Sequence, residues 1–118
     1  MAEKLELILK ELDFDVVKGK AYRLRMTYAN KQTGLPFDLT SHKARFVARL
    51  SAGHADTIVS LDETDGITLG SSTNNIEIIV PGINVDASEI RYGFELEDAA
   101  TVITPMLTGD ITLIKSLI

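Results

Sequence analysis

Tyr22-Arg23-Leu24-Arg25-Met26-Thr27-Tyr28 is the stretch on which the fold class turns. Tyr22, Leu24, Met26 and Tyr28 share one phase of a two-residue period, and Arg23, Arg25 and Thr27 share the other. Successive side chains of a strand point to opposite faces, so this is a strand with one face in a core and one in water. Asn30-Lys31-Gln32-Thr33-Gly34 then supplies turn chemistry. Residues 35–40 read as a short extended connector, because Pro36 cannot donate to a central ladder and pushes its predecessor out of the helical region.

The same period recurs downstream. Ala44, Phe46, Ala48 and Leu50 fall on an inward phase opposite Lys43, Arg45, Val47 and Arg49, ending at Ser51-Ala52-Gly53. Residues 57–61, 67–69 and 76–80 are short apolar segments. They are separated by Asp62-Glu63-Thr64-Asp65-Gly66 and Gly70-Ser71-Ser72-Thr73-Asn74-Asn75, both rich in turn formers. Val80-Pro81-Gly82 breaks the chain, and residues 84–88 have room for a single helical turn. Tyr92, Phe94 and Leu96 form another inward set opposite Arg91, Glu95 and Glu97, and residues 101–107 and 111–118 predict a closing hairpin across Thr108-Gly109-Asp110. About eight short strands without a linker or a repeat predict one all-β domain over residues 1–118. A lone sheet leaves one apolar face uncovered, so two packed layers, a β-sandwich of about 7–9 antiparallel strands, are expected.

Both ends carry more apolar surface than a single wet face explains. Leu5, Ile8, Leu9 and Leu12 follow helical spacing with Glu6 and Lys10 paired at i,i+4, yet Leu5, Leu7 and Leu9 also alternate as in a strand, so residues 1–12 form an arm that fits either state. At the other end Ile111, Leu113 and Leu117 occupy one phase and Ile114 and Ile118 the other. Such a segment suits a central strand within its own sandwich, or a contact with a neighbouring subunit. Leu5, Ile8, Leu9, Leu12, Ile114 and Ile118 are accordingly the candidates for protein–protein contact.

A chain of 118 residues with 45% hydrophobic and 25% charged residues has the size and composition of one globular domain. Its net charge of -5 argues against general affinity for nucleic acid, which relies on lysine and arginine neutralising phosphates. Cysteine is absent, which removes thiol nucleophiles, cysteine-ligated zinc and disulfides together. No apolar run approaches the ~18 residues that span a bilayer, so a protein made and kept in solution is expected.

Chemistry is sparse in the motifs. His42 precedes a predicted strand and His54 sits in a predicted loop, with no histidine at i+2 to i+4, so both read as solvated loop residues rather than metal ligands. No Gly-x-Ser-x-Gly elbow accompanies them. In Asp62-Glu63-Thr64-Asp65-Gly66 a threonine interrupts the alternation that a calcium loop requires and a strand follows, which leaves a solvated turn. Gly66-Ile67-Thr68-Leu69-Gly70 lacks the Gly-Lys-Ser/Thr ending of a phosphate cradle and marks two turns around a short strand. Arg23, Arg25, Lys43, Arg45 and Arg49 could form a basic stripe, but Glu95 and Glu97 on a neighbouring strand would cancel its field. No cofactor, metal or catalytic residue is expected.

Several landmarks come in a recognisable order: Val17-Lys18-Gly19-Lys20 before the Tyr22 strand, Gly34-Leu35-Pro36-Phe37-Asp38-Leu39-Thr40, and Ala44-Arg45-Phe46-Val47-Ala48-Arg49. Asn75-Ile76-Glu77-Ile78-Ile79-Val80, Tyr92-Gly93-Phe94-Glu95-Leu96-Glu97 and Leu107-Thr108-Gly109-Asp110 follow. From Asp15 onward this resembles the small tailed-bacteriophage virion proteins related to the N-terminal domain of baseplate upper proteins. Phe94 stands where that pattern often has leucine, and the stretch before Phe14 is longer than the pattern expects. The resemblance implies an immunoglobulin-like β-sandwich serving as a non-catalytic structural or adaptor piece of the tail, baseplate or fibre-attachment region. It would be assembled in the host cytoplasm and partnered by other virion proteins and copies of itself. The competing expectation, a free-standing binding module for carbohydrate, requires an exposed aromatic platform. Only 6% of residues are aromatic, and Tyr22, Tyr28, Phe46, Tyr92 and Phe94 are all inward by phase.

Overall fold

The computed structural model describes residues 10–29, 32–51, 57–70 and 75–115. Among these the chain forms nine strands and no helix: β1 (Lys10–Glu11), β2 (Phe14–Val17), β3 (Tyr22–Met26), β4 (Lys43–Arg49), β5 (Thr57–Asp62), β6 (Ile67–Leu69), β7 (Ile76–Val80), β8 (Glu89–Glu97) and β9 (Ile103–Ile114). The larger sheet runs β1-β9-β8-β4-β5, with β2 also on β9, and the smaller runs β3-β7-β6.

Period-two burial is what joins the two sheets. Ala44, Phe46 and Ala48 of β4 lie opposite Leu96, Phe94 and Tyr92 of β8, and all six are buried. The smaller sheet turns Ile67, Ile76, Ile78 and Val80 into the same core, while Leu39 and Ile83 enter it from connectors. Burying side chains of this size contributes about 1.5–3 kcal/mol each. An aromatic chain crosses from sheet to sheet: Phe46 stacks on Tyr92 at 5.3 Å, Tyr92 meets the edge of Phe14 at 5.2 Å, and Phe14 stacks on Tyr22 of β3 at 4.9 Å.

The connector between β3 and β4 is held by a residue whose type suggests only a turn. Asn75 is 2% exposed. Its Oδ1 accepts from the Tyr28 amide at 2.8 Å, and its Nδ2 donates to the carbonyls of Tyr28 and Phe37 at 3.0 and 2.7 Å. One side chain thus satisfies three backbone groups where Ala29 and Pro36 bridge.

Four expectations about the strands and turns need correction. The hairpin across Thr108-Gly109-Asp110 does not exist, because β9 continues through it, paired with β8 on one side and with β1 and β2 on the other. The sandwich is not wholly antiparallel, since β1 and β2 run parallel to β9. Residues 84–88 form bends rather than a helical turn, their neighbourhood being tied to β9 by the Leu113 amide donating to Ser88 O at 2.8 Å. Leu50 is 42% exposed, because the β4–β5 register shifts between Ala48 and Arg49 and the alternation ends with the strand.

Candidate interaction surface

The two terminal segments singled out in the sequence lie side by side. Lys10 pairs with Leu107 and Glu11 with Thr108, and the four residues of β2 pair with Ile111 to Ile114. The register offset is the same in both, so β1 and β2 are one edge strand interrupted at Leu12 and Asp13. The Leu12 amide still donates to Thr108 O at 2.9 Å, but the Leu12 carbonyl leaves the ladder and accepts from the Tyr92 hydroxyl at 2.6 Å. Asp13 replaces a missing backbone acceptor, its Oδ1 receiving the Asp110 amide at 2.9 Å. Burial, assisted by the neighbouring Asp13 carboxylate, pushes the Tyr92 phenol up to about 12, which keeps it a donor at neutral pH.

Of the six contact candidates, the structure places two. Ile114 is 43% exposed and lies beside Val17 of β2, itself 37% exposed. Leu12 is 39% exposed, at the interruption of the edge strand and about 16 Å along the ladder from Ile114, so the two do not form one patch. Leu5, Ile8, Leu9 and Ile118 lie outside the described residues. Val17 was missed in the sequence because its outward phase shows only once β2 is set against β9.

No basic stripe forms, because its five cations divide between two outer faces. Arg23 and Arg25 belong to the smaller sheet, where Glu77 of β7 stands 3.4 and 3.0 Å from their Nε atoms. Lys43 and Arg45 belong to the larger sheet, directly opposite Glu97 and Glu95. Arg49 faces Arg91, which is paired with Asp110 at 2.8 Å. Exposed pairs of this kind contribute about 0–1 kcal/mol each and define surface charge more than stability.

The remaining motifs hold local structure. Asp62 Oδ1 accepts from the Thr64 hydroxyl at 2.6 Å and the Thr64 amide at 2.9 Å, which holds its carboxyl below the ordinary range. Asp38 is held low in the same way by the Thr40 amide and hydroxyl. His42 lies in the loop before β4 as expected but is not fully solvated: the residue is half-buried, and its Nδ1 is enclosed without a hydrogen-bond partner among the described residues. His54 lies outside the described residues. Among the described residues no three His, Cys, Asp or Glu side chains gather as metal ligands would. Tyr28 packs against Phe37 at 4.6 Å, and Phe37 is 36% exposed.

The fold defines the class, an all-β protein of two sheets about a shared core. No protein-family model matches the chain, and no curated protein matches it.

Proposed function

We propose that this chain is a non-catalytic structural or adaptor subunit of a tailed-bacteriophage particle, placed in the tail, baseplate or fibre-attachment region. It acts through contacts with other virion proteins and with copies of itself. The observation that carries this reading is the convergence of the two terminal segments at one edge of the larger sheet, where Val17 and Ile114 lie side by side with apolar surface in solvent. The sequence landmarks that resemble phage virion proteins support it. So does the strand order, with β3-β7-β6 in the places of B-E-D and β9-β8-β4-β5 in those of G-F-C-C′ in an immunoglobulin-like arrangement.

Two measurements test the proposal. Light scattering over a concentration range is expected to give a discrete oligomer for the full chain and a smaller species once residues 1–9 are deleted; a monomer in both cases overturns self-assembly. Mass spectrometry of purified particles from a phage encoding the chain is expected to find it in stoichiometric amount. Its absence from those particles removes the virion assignment and returns the free-standing binding module to first place.

A further inference from the structure

Two edge strands, one in each sheet, lie on the same flank of the sandwich. Among the described residues β3 pairs only with β7, and β2 only with β9. The hydrogen-bond phase shows which backbone groups face outward. The Ile79 amide donates to Gly66 O at 2.8 Å on the far side of β7, so Arg23, opposite Ile79, turns its N–H and C=O away from β7, and Arg25 does the same. On the other edge the Leu12 and Lys18 amides donate to Thr108 O and Ile114 O, so the even-numbered residues face β9 and Asp15 turns its N–H and C=O outward. Phe14 stacks on Tyr22 across the core at 4.9 Å, which sets the two edges one above the other. The short turn between them makes β2 and β3 run in opposite directions.

The two edges carry opposite charge. Arg23 and Arg25 stand out from β3, each side chain more than half exposed, and share the one carboxylate of Glu77, which leaves a formal +1 (2 − 1). Asp13 and Asp15 are exposed on the other edge, and among the described residues neither takes part in an ion pair. Such charges keep like edges apart, since β3 against β3, or β2 against β2, would set equal charges opposite each other. β3 against β2 of another copy does the reverse. A half-turn about an axis parallel to the strands makes that pairing twice, because it exchanges the two layers and keeps each residue at its level along the strands. Phe14 stands level with Tyr22, so the rotation brings Arg23 beside Asp13 and Asp15 of the second copy, with all three side chains on one outer face.

We propose that two copies of this chain join along this flank, β3 of each adding antiparallel to β2 of the other, so that each layer becomes one continuous sheet shared by both copies. Arg23 and Arg25 then meet Asp13 and Asp15 across two equivalent seams. The pairing rests on the self-association proposed above and names the surface that carries it; the seams use none of residues 1–9. Backbone pairing supplies the affinity, the charges decide which edges meet, and the attraction between them weakens with salt.

The test is charge exchange in the full chain, read by light scattering over a range of protein concentration. Asp15→Arg and Arg23→Asp are each expected to weaken dimerisation by roughly tenfold or more on an unchanged circular dichroism spectrum, and the two together to restore it. The chain has no cysteine, so cross-linking gives a second measurement that survives the failure of a charge variant to fold. Asp15→Cys mixed with Arg23→Cys is expected to yield a covalent dimer with a short bismaleimide, and either variant alone to yield none. Dimers indifferent to the single charge changes, no recovery in the double variant, or cross-linking of Arg23→Cys to itself overturns the pairing and leaves self-assembly standing. A monomer at every concentration overturns both.

Discussion

Gly109 and Gly93 lie one row apart on paired strands, yet they face opposite ways and answer to different demands. On the inner side, the absence of a side chain at Gly109 lets the Leu12 carbonyl press against β9, and Tyr92, its partner across the ladder, reaches over to hydrogen-bond that carbonyl. On the outer side, the absence of a side chain at Gly93 opens a trough whose banks carry charge. The first vacancy is filled by the chain itself and holds the N-terminal strand in place. Among the described residues nothing fills the second. A glycine is thus informative through what occupies the space it leaves.

The comparison breaks most visibly at Gly109. Gly109→Val drives a side chain into the Leu12 carbonyl and is expected to displace the edge strand at a cost of about 3 kcal/mol, measured as a lowered urea midpoint with loss of amide protection over β2. Tyr92→Phe keeps the aromatic stack and removes only the donor to Leu12 O, with an expected loss of about 1 kcal/mol in the same unfolding experiment. The pH dependence of that loss follows from the raised phenol. Its stabilising effect is complete below the unfolded value near 10 and is lost as pH rises through about 12, because the unfolded chain releases its proton first. Wild-type stability is therefore expected to decline across that window more than that of Tyr92→Phe, and equal declines would mean that Tyr92 is not the group responsible. The smallest effect has the opposite sign. Gly93→Ala meets no clash and is expected to raise stability by about 0.5–1 kcal/mol in thermal or urea unfolding; a loss would mean that the fold does need glycine there.

Much of the architecture was legible residue by residue. The inward sets Ala44, Phe46, Ala48 and Tyr92, Phe94, Leu96 are buried where their phase puts them. Leu50 departs from its set because a bulge ended the period, an event with no residue signature at that position. Thr108-Gly109-Asp110 has the composition of a turn, but ladder pairing on both flanks outweighs local turn preference. Asn75 reads as a loop residue for the same reason, and only the passage of the 28–37 connector over it reveals a buried clamp. Of the candidate surface, Ile114 and Leu12 were visible as apolar residues to spare. Val17 was not, since its face is defined by its pairing with β9, whereas the outward place of Gly93 follows from the phase of Tyr92 and Phe94.

By itself the sequence determined that this is an all-β chain with alternating inner and outer faces, charged on the outward phases of its strands and without cysteine chemistry. Alternation follows from backbone geometry and holds whatever a strand pairs with. The tertiary structure alone decided that the N-terminal strand lies parallel to β9, that the cations divide between two sheets, and that Leu12 closes over Gly109. Those outcomes depend on encounters such as that of Asp13 with Asp110, 97 residues apart, whose local sequences carry no mark of one another.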